Sequence, residues 1–140
     1  MDKAQLEALL ERVEKATGPD RELDFLIEAE MENREIRFVD HPEFGRQMLA
    51  KHRHAPFDEC WMDHPAAVSK GYTASIDASK ALVSRKFSNW QLNIHDYGMF
   101  SEASIGSWIS EPRSEAPTAP LAIIKAMLKA LIAQEAACAS

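Results

Sequence analysis

Apolar and polar positions change period several times along the chain, and each change marks an element. Leu6, Leu9, Leu10 and Val13 recur on one helical face, with Glu7, Glu11, Arg12 and Lys15 elsewhere, which predicts an amphipathic first helix. Thr17-Gly18-Pro19 stops it. Gly18 is expected in the left-handed cap conformation, and Pro19 cannot continue a helix. Asp20 then reads as the N-cap of a second helix, whose face is Leu23, Leu26 and Ile27, widened by Phe25 and Ala29. Residues 1–32 thus predict a helical hairpin.

Residues 34–40 switch to a short strand around Ile36 and Phe38, ended by His41-Pro42. Residues 42–52 predict a short helix around Phe44, Met48 and Leu49, weakened by Gly45. Residues 53–70 have no steady period. They read as irregular, with a short strand at Cys60–Met62, so 41–70 is expected to be an insertion between two regular parts. A third main helix is expected over 74–85, capped by Thr73 or Ser75.

Trp90, Leu92 and Ile94 then alternate with Gln91, Asn93 and His95. Asp96-Tyr97-Gly98 makes a turn, and Ala103, Ile105, Ser107 and Ile109 alternate with Ser104, Gly106 and Trp108. This is the clearest β-hairpin in the chain. Residues 111–119 read as a polar loop. Thr118 is expected to cap a last helix with Pro120 early in it and Leu121, Ile124, Met127, Leu128, Leu131 and Ile132 as its stripe. The tail after Gln134 is expected to fray. Residues 71–136 form an α-β-β-α unit, and the whole order is α-α-β-(irregular)-α-β-β-α. That order suits an α+β domain: a small, mostly antiparallel sheet covered by helices.

Composition narrows the class. A chain of 140 residues fits one domain. At 46% apolar and 27% charged it has the makings of a core without a metal or disulfide staple. A net charge of −6 disfavours broad nucleic-acid binding and suits a basic protein partner. Cys60 and Cys138 are too few for a disulfide framework and are expected as free thiols. The charged start of the chain lacks a secretory core. The best membrane candidate, residues 120–133, is interrupted by Lys125 and Lys129. A cytoplasmic protein is expected.

Three stretches carry a family resemblance. They are GPDRELD at Gly18–Asp24, YTASIDASKALV at Tyr72–Val83 (followed by Trp90 and a strand), and APTAPLAIIKAMLKAL at Ala116–Leu131. In this order and spacing the chain resembles the phage ABA-sandwich domain, a family of small phage and prophage proteins. Ser79 and Ser84 depart from the alanine and proline usual there, and residues 41–70 fall outside the likeness. The resemblance implies an α/β/α sandwich encoded by a phage or prophage. It implies no enzymatic activity and no catalytic residue.

Three groups of residues have the chemistry for a site. His52, His54, Cys60 and His64 are metal-ligand types within one short segment, although their spacing matches no common zinc pattern. The plainer reading is surface histidines and a core cysteine. Asp20, Arg21 and Asp24 sit at a helix start where an anion could be held, or where a cap and an ion pair suffice. Tyr72, Thr73, Ser75 and Asp77 gather at another helix start, open to a ligand phosphate or to capping alone. Cys60 with His64 lacks an oxyanion hole or orienting partner for nucleophilic chemistry. The common nucleotide and hydrolase motifs are absent, and no residue pattern requires a cofactor. Trp61, Trp90, Tyr97, Phe100 and Trp108 are expected mostly in the core, with one or two at an interface.

Two functional readings follow. The first is a non-enzymatic phage or prophage accessory protein that binds a host or viral protein, for example to inhibit a host defence as anti-CRISPR proteins do. The second is a small-molecule or nucleotide binder, or small enzyme, with its site at the Tyr72–Asp77 helix start. Homodimerisation through a strand or the last helix is compatible with both.

Overall fold

The computed structural model describes residues 3–32, 34–43, 45–52, 62–63, 71–87, 91–106 and 113–139. The elements run α1 (Lys3–Lys15), α2 (Arg21–Met31), β1 (Arg34–His41), β2 (Gly45–His52), β3 (Met62–Asp63), α3 (Ile76–Lys86), β4 (Gln91–Asp96), β5 (Ser101–Gly106), β6 (Ser114–Ala116) and α4 (Ala119–Ala139). Among the described residues the strands form two antiparallel three-stranded sheets, in the orders β1-β2-β3 and β4-β5-β6. With helices packed on antiparallel sheet, the fold is α+β, as the hydrophobic pattern predicts.

Helix α4 organises the core. Residues 121–124 and 126–128 are all buried, so apart from Lys125 its early turns are apolar on every side. A helix that is apolar all round needs neighbours on more than one side. It packs on the β4-β5-β6 sheet and also on α1 and α3. From α1 come Leu6, Leu9 and Val13, from α3 Leu82 and Val83, and from β5 Ala103 and Ile105. Leu92 and Ile94 of β4 pack on the same cluster, while Gln91, Asn93 and His95 between them are exposed. Burying a Leu or Ile contributes about 1.5–3 kcal/mol. The exposed Lys3–Glu7 and Lys15–Glu11 pairs on α1 contribute about 0–1 kcal/mol each. Apolar burial therefore holds the domain.

Several local expectations are corrected. Residues 45–52 are not helical: they form β2, paired with β1 from Arg34↔His52 to His41↔Gly45. Gly45, with φ +73°, supplies the left-handed residue of the tight connection. Met48, Leu49 and Ala50 favour helix locally, but pairing along all of β1 outweighs that weak preference. The irregular segment 41–70 thus contains β2 and also β3, which takes in Met62 of the expected Cys60–Met62 strand. Cys60 and Trp61 lie outside the described residues.

Gly18 is not left-handed; α1 closes with the Ala16 N–H donating to the Val13 carbonyl at 3.1 Å. The loop 111–119 contains β6, whose three residues pair with Ser101, Glu102 and Ala103. Three residues are too few to show an alternation in sequence. Thr118 precedes α4 and its carbonyl accepts from Ala122 N at 3.0 Å, but its hydroxyl has no partner and does not cap. Nor does α4 stop at Gln134; it runs to Ala139. No described helix is long and apolar enough to cross a membrane.

Candidate functional site

Two of the residue groups read separately from the sequence meet in the structure. Asp20 is the N-cap of α2, accepting from Leu23 N at 3.1 Å. Asp24 and Glu28 follow at four-residue intervals, which places them in one row along the helix. That row is buried: Asp24 is 2% exposed and Glu28 1%. Buried carboxylates need hydrogen-bond donors, and the segment before α3 supplies them. Gly71, with φ +59°, turns the chain, and its carbonyl accepts from both Ala74 N and Ser75 N at 3.0 Å.

The turn aims Tyr72 and Thr73 at α2. The Thr73 backbone N–H donates to Asp24 Oδ1 at 2.7 Å. The Asp20 N–H donates to Thr73 Oγ1 at 2.8 Å, and that hydroxyl lies 3.2 Å from the Asp20 carbonyl it donates to. The Tyr72 hydroxyl donates to Glu28 Oε2. At the far end of α2, Lys86 Nζ donates to the Met31 carbonyl at 3.0 Å, where a cation suits the negative end of the helix. Arg12 to Glu22 at 2.8 Å ties α1 to the start of α2.

The surroundings shift three groups. Burial pushes the Asp24 carboxyl up, opposed by the Thr73 N–H and hydroxyl; Asp20 adds to the rise and Arg21 works against it. Burial and then the Glu28 carboxylate push the Tyr72 phenol up, with Arg85 pulling the other way. Burial pushes the Lys86 ammonium down, reinforced by Arg85 and opposed by Glu28 and Glu32. In both Asp24 and Tyr72 burial is the largest cause of the rise, because removal from water disfavours the charged form.

The remaining candidates stand apart. Arg21 is exposed and makes no ion pair with Asp24, whose oxygen is taken by Thr73. Ser75 caps α3, accepting from Ala78 N at 3.2 Å, and Asp77 is exposed in the first turn. His52 ends β2, while His54, Cys60 and His64 lie outside the described residues. Among the described residues, no group of three His, Cys, Asp or Glu side chains is arranged to hold a metal. Glu28, Arg85 and Lys86 were not singled out in the sequence. The signal for Glu28 is the Asp20, Asp24, Glu28 spacing on a helix that interleaves that row with Leu23, Phe25 and Ile27.

A different feature stands at the β4–β5 turn. Of the exposed large apolar side chains among the described residues, Tyr97 (53% exposed), Met99 (91%) and Phe100 (39%) fall within four positions. The Tyr97 and Phe100 rings stack at 5.0 Å, and His95 lies 6.3 Å from Tyr97. Trp90 and Trp108 lie outside the described residues.

Fold and site together define an α+β domain whose buried polar cluster fastens one helix to the start of another. Comparison with family models, with curated proteins and with solved structures returns no match.

Proposed function

We propose that this chain is a non-enzymatic accessory protein of a phage or prophage, belonging with the phage ABA-sandwich proteins it resembles and acting in the host cytoplasm by binding a host or viral protein. Inhibition of a host defence is one concrete form. The observation that carries the binding reading is the closure of the polar cluster. Asp24, Thr73, Tyr72 and Glu28 spend hydrogen bonds on one another inside the protein. A substrate at the Tyr72–Asp77 helix start would first have to break those bonds, at about 1–3 kcal/mol for each buried group left unmade. The acidic charge of −6 and the apolar turn at Tyr97–Phe100 support recognition of another macromolecule.

The test is affinity purification of the tagged chain from a phage-sensitive bacterial host. A partner protein in stoichiometric amount is expected, with its recovery reduced at high salt. Absence of any such partner, together with a nucleotide that raises the melting temperature of the chain but not of a Thr73→Val variant, would overturn the reading in favour of the small-molecule one.

A further inference from the structure

We infer that the Tyr97–Phe100 turn is the docking end of the molecule, and that its partner is a protein surface offering an apolar pocket rimmed by lysine or arginine. The inference rests on the protein-binding reading above and names the surface and the chemistry it would use.

Hairpin turns are ordinarily polar, because they stand furthest from the core. Here the turn is built rigidly and then loaded with apolar side chains. The Tyr97 N–H donates to the Phe100 carbonyl at 2.9 Å. Gly98 takes φ +84°, which the favoured two-residue hairpin turns require at that position. Asp96 Oδ1 accepts from Gly98 N at 2.9 Å and from Ser101 Oγ at 3.3 Å. Tyr97 and Phe100 are stacked before any partner arrives. Pre-ordered rings lose little entropy on binding, and Tyr, Phe and Met are residue types enriched at interfaces.

Charge decides among partners. Residues 87–112 contain no lysine or arginine. Asp96 stands at the turn, and Glu102 and Glu115 are paired across β5 and β6. Of the nearby cations, Arg113 is 3.2 Å from Glu102, and Lys125 donates to the Glu115 carbonyl at 3.0 Å. Phosphate backbones and anionic headgroups would be repelled, and a second copy would bring the same sign of charge. A cationic rim would meet the exposed carboxylates of Asp96 and Glu115 beside the half-exposed Tyr97 ring.

The test places the photo-crosslinker p-benzoylphenylalanine at Met99 in the full chain, and at exposed Ala81 of α3 as a control, in the bacterial host. Light should join the Met99 probe to one partner protein, through a peptide containing lysine or arginine, while the Ala81 probe gives background. Partner recovery should fall about tenfold for a Tyr97→Ser, Phe100→Ser double variant. It should also fall for Met99→Ser, whose side chain packs on almost nothing and leaves the melting temperature unchanged. Equal crosslinking at Ala81, or crosslinks to a second copy, to nucleic acid, to lipid or to an acidic peptide, would overturn the inference. A partner retained in full by the variants would overturn it too, yet leave protein binding standing. If the unaltered chain recovers no partner at all, protein binding itself fails.

Discussion

The Tyr72 phenol shows how one residue links two distant parts of the chain. Its hydroxyl reaches Glu28, forty-four positions earlier, and both groups are buried. Removing the hydroxyl by Tyr72→Phe leaves a buried carboxylate without that donor. A loss of about 1–3 kcal/mol is expected in urea unfolding. The pH dependence has a definite sign. The phenol is pushed above its ordinary value of 10.0 in the folded protein. Its contribution is therefore complete below pH 10 and is lost as pH rises through the raised folded value, because the unfolded chain ionises first. The stability difference between the protein and its Tyr72→Phe variant should shrink above pH 10, and a difference that stays flat would count against the bond. Ser114 gives the opposite expectation. Its hydroxyl is buried without a hydrogen-bond partner, on the core side of β6. Ser114→Ala should raise stability by about 1 kcal/mol, read from the urea midpoint. Ser79 is also fully buried, but its hydroxyl donates to the Ser75 and Ile76 carbonyls at 3.0 and 2.9 Å. A buried serine is therefore accommodated in α3 with its hydroxyl satisfied.

At the level of elements, the helices and the β4–β5 hairpin were legible because each carries several turns or alternations of a single period. Leu6, Leu9 and Val13 are buried as their spacing requires, and Leu92 and Ile94 face the core while Asn93 and His95 do not. The turn between β4 and β5 was equally plain from Asp96 and Gly98, and a direct expectation follows. Gly98→Val puts a branched side chain at φ +84° although nothing crowds the position. The strain is conformational, and about 1–3 kcal/mol should be lost from the hairpin, seen as faster amide exchange in β4 and β5 with α1 little affected. β2 was misread because its residues are ordinary helix formers and its partner β1 is what makes it a strand. β6 was missed because it is three residues long and owes its existence to the β5 edge.

For the whole molecule, the apolar cluster around α4 is the core of the described residues, and it is expected to hold the domain unaided. Chelator and reductant together should leave the melting temperature of the purified chain unchanged. A fall of several degrees would direct attention to His52, His54, Cys60 and His64. Ile124→Ala, in the fully buried part of α4, should cost about 2–5 kcal/mol, measured by thermal unfolding. The buried row of Asp24 and Glu28 is not a second source of stability on that scale. Its value is in fixing where α2 sits, since a buried carboxylate accepts only an arrangement that provides its donors.

The sequence by itself determined the α+β class, the four helices found among the described residues, the central hairpin, the cap at Asp20 and the apolar weight of the last helix, and it left the cap of α3 open between Thr73 and Ser75. Those features depend on neighbours a few positions away, so local order carries them. Only the tertiary structure decided that Asp20 and Asp24 belong with Tyr72 and Thr73, that Glu28 completes the row, and that residues 45–52 are a strand. These depend on which segments meet across tens of residues, and the energy that selects the meeting is apolar burial elsewhere in the core. Polar residues record that outcome in their hydrogen bonds, but their order along the chain does not announce it.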